Sequence, residues 1–143
     1  MSYEAVTNAL TAIAGIKAHS RSLSQQVQEL LDATNAPPDE RRARDRFPIP
    51  YTFRLTPIDA QGNLMLQDTN TVVGRDLSLT GIGISHDYDF KFKRAIISLD
   101  HPKLGRFAVE AEIVWTRPTR IGLLESGFRL IRTVDGHTMR TSG

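Results

Sequence analysis

The spacing of the apolar residues changes once along this chain, and that change limits the folds available to it. Up to residue 33 the apolar residues recur every three or four positions, as on one face of a helix. From residue 47 to residue 132 they alternate with polar residues, as in half-buried strands. Pro37 and Pro38 lie between the two patterns, and a helix does not continue through such a pair. The sequence therefore predicts a helical segment followed by a β domain.

The N-terminal segment, residues 1–35, predicts a helix over residues 3–33 with one apolar stripe. The stripe consists of Val6, Ala9, Ile13, Ile16, Ser20, Leu23, Val27 and Leu30. A stripe of four turns or more favours assembly of the chain into a homo-oligomer, although charges beside the stripe are sparse for a long coiled coil. Two alternatives remain open: the helix packs on the following domain, or it is broken near Ser20, because Ser22–Gln25 resembles a capping box.

Two segments of the chain, residues 36–46 and 133–143, are polar, and we expect neither to pack in the core. Residues 36–46, APPDERRARDR, form a linker without an apolar residue beyond alanine, and they carry four arginines. We expect this linker to be exposed, and to be disordered until an anionic partner binds its arginines. Residues 133–143 form a polar C-terminal tail that we expect to fray.

The segment 47–132 predicts about six short strands, because turn signals recur about every 8–12 residues. Turns are expected at Ala60–Asn63, at Asp100–Pro102 and at Arg117–Pro118. The last strand is expected to run from Ile121 to Ile131, with a break at Gly127. This pattern predicts a mainly β fold, a small antiparallel barrel or sandwich.

Composition excludes several classes of function. The chain has 143 residues, enough for one domain, and it has no cysteine, which excludes disulfides, thiolate zinc sites and cysteine nucleophiles. The four histidines show no metal-ligand spacing, and the sequence contains neither a nucleophile elbow nor a phosphate-binding loop. We therefore expect no enzyme activity, catalytic residue, metal or cofactor. Without an apolar run for a membrane span or a signal peptide, the expected location is the cytoplasm.

Two short segments could carry chemistry. The first runs from Arg41 to Arg46 and places four guanidinium groups within six residues. The second, Asp76–Gly81, has the pattern Asp-x-Ser-x-x-Gly between two strand segments. Taken alone, the first reads as a solvated charge run. The second reads as turn chemistry, in which Asp and Ser bond nearby backbone and Gly supplies a positive φ.

Taken together, the two segments resemble the motifs of the PilZ domain family. Arg42 and Arg46 form an Arg-x-x-x-Arg pattern just before the first strand, and Asp76–Gly81 follows about thirty residues later. Residues 111–115 and 126–131 are similar to later strands of that family, so the resemblance covers roughly residues 40–132. It implies a six-stranded antiparallel β-barrel and a bacterial receptor for the second messenger cyclic di-GMP.

The resemblance also implies a ligand site formed by Arg42, Arg46, Asp76, Ser78 and Gly81. The chemistry of these residues suits cyclic di-GMP, because guanidinium groups fork onto phosphate oxygens and onto guanine O6 and N7. The carboxylate of Asp76 can accept hydrogen bonds from guanine N1–H and N2–H₂. The hydroxyl of Ser78 would bind base or phosphate, and Gly81 would keep side-chain bulk away from the ligand.

Three further residues are weaker candidates for the same ligand. Arg41 precedes the motif and would serve a second, stacked dinucleotide, as some members of the family bind. Arg44 lies in the variable part of the motif and is either a ligand contact or solvated. Trp115 has the strand parity of Phe107, which favours core packing, although an exposed indole near the site would stack on guanine.

The sequence leaves two other functions open. The barrel could be a structural interaction module whose oligomerising helix is the functional part, without nucleotide binding. The arginine linker could bind nucleic acid nonspecifically, but a net charge of only +2 and the lack of an aromatic platform oppose this. The expected partners are cyclic di-GMP, further copies of the chain and a downstream protein, with no nucleic acid and no membrane insertion.

Overall fold

The computed structural model of the protein describes residues 22–34 and 45–134, together with the backbone of residues 140–141. One helix, α1 (Leu23–Ala33), precedes the strands. The strands are β1 (Phe47–Pro48), β2 (Thr52–Ile58), β3 (Asn63–Leu64), β4 (Asn70–Leu77), β5 (Gly81–His86), β6 (Arg94–His101), β7 (Gly105–Pro118), β8 (Leu124–Thr133) and β9 (Arg140–Thr141). A 3₁₀ turn at Leu66–Asp68 joins β3 to β4. Within these ranges, α1 is too short and too polar to span a membrane.

Six of these strands close into an antiparallel barrel. Around the barrel the order is β2, β4, β5, β8, β7 and β6, and β6 pairs again with β2. The short strand β1 adds to β4 where β2 no longer does, and β3 pairs in parallel with β9. The predicted fold, a mainly β, six-stranded antiparallel barrel, is confirmed.

Alternation along the strands fills the barrel with apolar side chains. Phe53, Ile82, Ile84 and Phe128 are buried in one cluster, and their sequence neighbours face outward. Because side chains of a strand alternate between faces, Gly81 and Gly83 lie on the outer face of β5. A functional site on this barrel is therefore built on its outer face.

Helix α1 begins at a capping box. The Ser22 hydroxyl accepts a hydrogen bond from the Gln25 backbone N–H (3.1 Å), and the Gln25 side chain accepts one from the Ser22 N–H (3.3 Å). Ser22 has extended backbone angles (φ −65°, ψ 160°), so an uninterrupted helix over residues 3–33 is wrong. The interruption expected near Ser20 lies at Ser22, while residues 1–21 fall outside the described part of the chain.

The apolar face of α1 packs on the barrel. Val27, Leu30 and Leu31 are buried in the same cluster as the strand residues, and the Gln26 side chain accepts a hydrogen bond from the Ala108 backbone N–H (3.2 Å). The second half of the apolar stripe therefore packs on the barrel of the same chain. This is the alternative to self-association that the sequence left open. Oligomer formation through the first half of the stripe stays a prediction.

The β7–β8 hairpin turns later than the sequence pattern indicates. Strand β7 continues through Pro118, and the turn is closed by Thr119, whose backbone N–H donates to the Leu123 carbonyl (2.8 Å). The expected turn at Arg117–Pro118 and the expected strand start at Ile121 are both wrong. The chain reverses after Pro118, where Gly122 adopts the positive φ of 84° that the turn uses, and β8 begins at Leu124. Strand β6 pairs with β7 only as far as Glu112, so the hairpin extends beyond the β6 edge.

Candidate ligand site

A β-bulge in β4 sets the direction of Asp76. The register between β4 and β5 shifts between Gly74 and Asp76, so that Arg75 is the extra residue. Gly74 faces the core, where an added methyl group would lie 2.5 Å from the Phe53 ring. After the bulge, Asp76 lies opposite Gly83 on the outer face.

Asp76 lies directly over Gly83 and pairs with Arg46. A methyl group on Gly83 would lie 2.6 Å from Asp76 Oδ1, so only glycine leaves room for the carboxylate there. Arg46 Nη1 donates to the same oxygen at 2.8 Å, and the side chains of Arg46 and Asp76 are 43% and 25% exposed. Strand β1 fixes this approach, because Pro48 pairs with Asp76. Such a partly exposed pair contributes at most about 1 kcal/mol, so both groups can exchange partners at low cost.

Ser78 closes the turn between β4 and β5. Its hydroxyl accepts hydrogen bonds from the N–H groups of Thr80 (3.2 Å) and Gly81 (2.9 Å), and it donates to the Gly81 carbonyl (3.3 Å). These three bonds use the capacity of a hydroxyl, and the residue is 2% exposed. Ser78 therefore shapes the site through the turn, and its direct contact with a ligand stays a prediction.

Gly81 is required by a neighbouring strand and not by its backbone angles. The positive φ values among the described glycines belong to Gly62, Gly105 and Gly122, so the positive φ expected at Gly81 is wrong. A methyl group on Gly81 would lie 2.9 Å from the Phe128 carbonyl oxygen and 3.6 Å from Arg46 Nη2. Gly81 thus allows the close approach of β8 and leaves the Arg46 guanidinium beside the turn.

Trp115 lies on the outer face of the barrel. A second register shift, between Ile113 and Trp115, reverses the parity that predicted core packing. The indole covers Gly127, where a methyl group would lie 2.4 Å from the ring atoms Cε2 and Nε1. The Cζ atom of Arg117 lies 4.8 Å from the ring centroid, a cation–π arrangement.

The candidate residues form one row across four strands. Asp76 of β4 pairs with Gly83 of β5, Gly83 pairs with Gly127 of β8, and Gly127 pairs with Trp115 of β7. Directly paired residues share a face, and their Cβ positions are about 5 Å apart. The two glycines thus form a flat floor with a carboxylate over one side and an indole over the other.

Further arginines, which no sequence motif indicates, surround this floor. Arg75 and Arg117 both contact Glu125, at 2.7 and 3.1 Å. Arg129, which pairs with Gly81 in the sheet, contacts Glu112 at 3.5 Å. Gly83 and Gly127 were also missed as site residues. The alternation of Gly81 and Gly83 on one strand face is the signal that could have found the floor.

The described structure covers part of the predicted site. Arg46, Asp76, Ser78 and Gly81 come together at the β4–β5 turn, and Trp115 joins them through Gly127. Arg41, Arg42 and Arg44 lie outside the described residues. In the part of the chain that the structure describes, no group of three histidine or carboxylate side chains is placed to hold a metal ion.

The fold and this face define a small β-barrel domain with several arginines and their carboxylate partners around a pair of outward-facing glycines. The PilZ domain family model matches residues 40–141, so the chain belongs to the PilZ domain family. None of the curated proteins matches the chain.

Two solved structures are similar to part of the chain. The inhibitor of motility MotI/DgrA from Bacillus subtilis has a TM-score of 0.49 and 16% identity, over 70% of this chain and 50% of that one. The chain thus spans half the length of that protein's structure. The PilZ domain with c-di-GMP of YcgR from Escherichia coli has a TM-score of 0.43 and 18% identity, over 64% of this chain and 79% of that one.

Proposed function

We propose that this chain is a cytoplasmic receptor for cyclic di-GMP and not an enzyme. Membership of the PilZ domain family supports a receptor role for this dinucleotide. The observation that carries the proposal for this particular chain is the row Asp76–Gly83–Gly127–Trp115. In this row the Asp76 carboxylate can accept hydrogen bonds from the edge of a guanine base, and the Trp115 indole can stack on its face.

The base would lie on the indole of Trp115 with its Watson–Crick edge toward Asp76. Guanine N1–H and N2–H₂ are donors, and the Asp76 carboxylate is an acceptor with two oxygens. A carboxylate repels the two phosphates of the ligand unless it makes such bonds, so it selects for guanine. The Arg117 guanidinium now lies against the indole, and it would move aside or stack on the bound base.

The arginines would neutralise the phosphates. Arg46 would exchange part of its bond to Asp76 for a phosphate oxygen or a guanine edge, at little cost because the pair is partly exposed. Arg42, four residues earlier, would add a second fork, and Arg41 would serve the second of two stacked dinucleotides. Arg44 is a weaker candidate for a further contact. Ser78 and Gly81 would contribute by holding the β4–β5 turn.

The signal would pass through the linker. Residues 36–46 join the N-terminal helical segment to the barrel, and ligand bound between Asp76 and Trp115 would draw their arginines toward it. Ordering costs about 1–2 kcal/mol per residue, so several arginine contacts are needed together. The closed linker and the altered barrel surface would then be recognised by a downstream protein.

Calorimetric titration with cyclic di-GMP tests the proposal, with GTP as the ligand control. Arg46→Ala removes a charge-assisted contact of roughly 1.5–3 kcal/mol, so affinity should fall about 10- to 150-fold. Arg54→Ala is the matched control, because Arg54 is an exposed arginine on β2, away from the β4–β5 turn. Trp115 is the sole tryptophan, so its fluorescence reports occupancy of the row independently.

Unchanged affinity in Arg46→Ala, or an equal loss in Arg54→Ala, would contradict the site assignment. Binding of cyclic di-GMP without any change of Trp115 emission would contradict the assignment of the indole to the site. A wild-type chain that binds neither cyclic di-GMP nor GTP would leave the interaction-module alternative.

A further inference from the structure

The turn between β7 and β8 carries an apolar residue at its apex. The loop is closed by two bonds from Thr119, whose N–H and hydroxyl donate to the Leu123 carbonyl at 2.8 and 2.9 Å. Gly122 supplies the positive φ that such a turn needs. Ile121 lies between these residues and is 80% exposed. Turn apices normally carry Gly, Asn, Asp, Ser or Pro, so a β-branched apolar residue here breaks a local rule without a folding gain.

The same hairpin carries three of the four large apolar side chains that are exposed in the described part of the chain. We name residues 114–123 the hairpin tip. Within the described residues, four large apolar side chains are exposed, and three of them belong to the tip: Val114 (64%), Ile121 (80%) and Leu123 (36%). Isolated exposed apolar residues are ordinary on a soluble protein, and Val114, within β7, is one of these. Ile121 and Leu123 lie together in one short turn, which favours an interaction surface there.

The charged residues of the hairpin tip are all basic. From Ile113 to Leu124 the chain contains Arg117 and Arg120 and no acidic residue. Arg117 is held by Glu125 and by the indole of Trp115. Arg120 is exposed, and none of the ion pairs among the described residues includes it. An apolar apex beside a free guanidinium complements an apolar pocket with carboxylates at its rim.

We propose that the hairpin tip docks into an acidic protein groove, with Ile121 as the anchor and Arg120 as its charged partner. The two bonds between Thr119 and Leu123 close the turn before any partner binds, which reduces the ordering that docking requires and favours a specific protein contact. Segments that bind anionic lipids usually carry clusters of about four to eight basic residues. Two arginines, of which one is already paired, fit a carboxylate-lined protein surface better than a membrane.

Arg117 connects this tip to the candidate ligand face. It contacts both Trp115 and Glu125, and it stands two residues before the turn. A base that stacks on Trp115 would displace its guanidinium from the ring and so change the charge presented at the tip. This coupling rests on the proposed function, whereas the docking surface itself does not.

The docking surface can be tested without knowing the natural partner. The probe is a phage-displayed library of random 12-residue peptides, selected on the full-length chain and counter-selected on Ile121→Asp. We expect enriched peptides to combine Asp or Glu with an aliphatic or aromatic residue. Fluorescence anisotropy of the synthesised peptides should show at least tenfold weaker binding to Ile121→Asp and to Arg120→Glu.

Arg54→Glu is the matched charge reversal on an exposed strand residue outside the tip, and it should leave peptide affinity unchanged. Because both tip side chains lie in solvent, circular dichroism of the variants should match that of the wild type. Selected peptides that bind the tip variants as tightly as the wild type would overturn the proposal. Sedimentation with phosphatidylglycerol vesicles that depends on both Arg120 and Ile121 would overturn it in favour of a lipid surface.

The coupling is tested separately by repeating the anisotropy titration with saturating cyclic di-GMP. We expect peptide affinity to change at least threefold in the wild type and to stay constant in Arg117→Ala. The coupling would be overturned if the wild type binds cyclic di-GMP in calorimetry but shows the same peptide affinity with and without it. A chain that does not bind the dinucleotide would contradict the proposed function, and the peptide titrations would still decide whether the tip docks.

Discussion

At the scale of single residues, glycines decide where the candidate functional groups lie. Gly83 and Gly127 are directly paired, and each lies beneath the side chain of the next strand. A β-strand offers its side chains to two faces, and an absent side chain on the outer face lets a neighbour lie flat across it. The carboxylate of Asp76 and the indole of Trp115 use this space.

The glycine floor leads to a prediction that separates ligand binding from stability. In Gly83→Ala the new methyl group meets the flexible end of Asp76, so the carboxylate should move, with cyclic di-GMP affinity reduced about tenfold or more. The free energy of unfolding, measured in urea, should change by less than about 1 kcal/mol. Gly127→Ala should displace the indole and shift the emission of Trp115.

Gly81→Ala is the structural counterpart in this series. Its methyl group would meet the backbone carbonyl of Phe128, which cannot move without strand β8. It should therefore lower the free energy of unfolding clearly more than Gly83→Ala does. Equal destabilisation by the two substitutions would mean that Gly83 serves packing and not the position of Asp76.

At the scale of elements, bulges and caps correct what periodicity predicts. The bulge at Arg75 turns Asp76 over Gly83, and the bulge before Trp115 moves the indole out of the core. Each bulge inserts one residue and exchanges the faces of all residues that follow, so a strict period of two fails beyond it. Similarly, the capping box at Ser22 starts a separate helix where the apolar stripe alone predicted a continuous one.

The packing of α1 on the barrel predicts that the helix contributes to the stability of the domain. Leu30 is 1% exposed and lies in the barrel cluster, so Leu30→Ala should reduce the free energy of unfolding by about 2–5 kcal/mol. Gln28→Ala, on the exposed face of the same helix, should change it by less than about 0.5 kcal/mol. Urea unfolding followed by circular dichroism measures both. Identical unfolding of wild type and Leu30→Ala would show that α1 does not share the cooperative unit of the barrel.

At the scale of the whole molecule, the order of the strands brings distant parts of the chain to one face. Arg46 meets Asp76, thirty residues later, because β1 pairs with the end of β4. Gly127 and Trp115 join them because β8 lies between β5 and β7. The linker therefore ends, at Arg46, within the candidate site.

Hydrogen exchange tests whether ligand binding closes this linker. Residues 39–45 carry three arginines and no large apolar residue, so their amides should exchange at nearly unfolded rates without ligand. With saturating cyclic di-GMP they should become protected, while the amides of β6, away from the site, should exchange as before. Equal protection of the linker in both states would indicate a preformed site and no switch of this kind.

Sequence alone determined the kind of fold and the two motif segments. The change from helical to alternating spacing, the proline pair and the turn residues all depend on local preferences, so they are readable without a structure. Arg46 and Asp76 could be named because the two segments that contain them resemble the PilZ motifs in order and spacing. Their contact, however, follows from the β1–β4 pairing, which no local pattern specifies.

The pairing of the strands in three dimensions sets which face each residue occupies and which residues meet across strands. The sequence did not decide whether the Trp115 indole faces the core or the solvent. Alternation along one strand predicts the core, whereas the bulge that reverses this depends on the pairing with β8. Ser78 was assigned to the ligand by its motif, but its hydroxyl bonds depend on the closed β4–β5 turn. The sequence favoured a second chain as the partner of Val27 and Leu30, but they pack on the barrel, because an apolar stripe indicates that a packing partner exists and does not identify it.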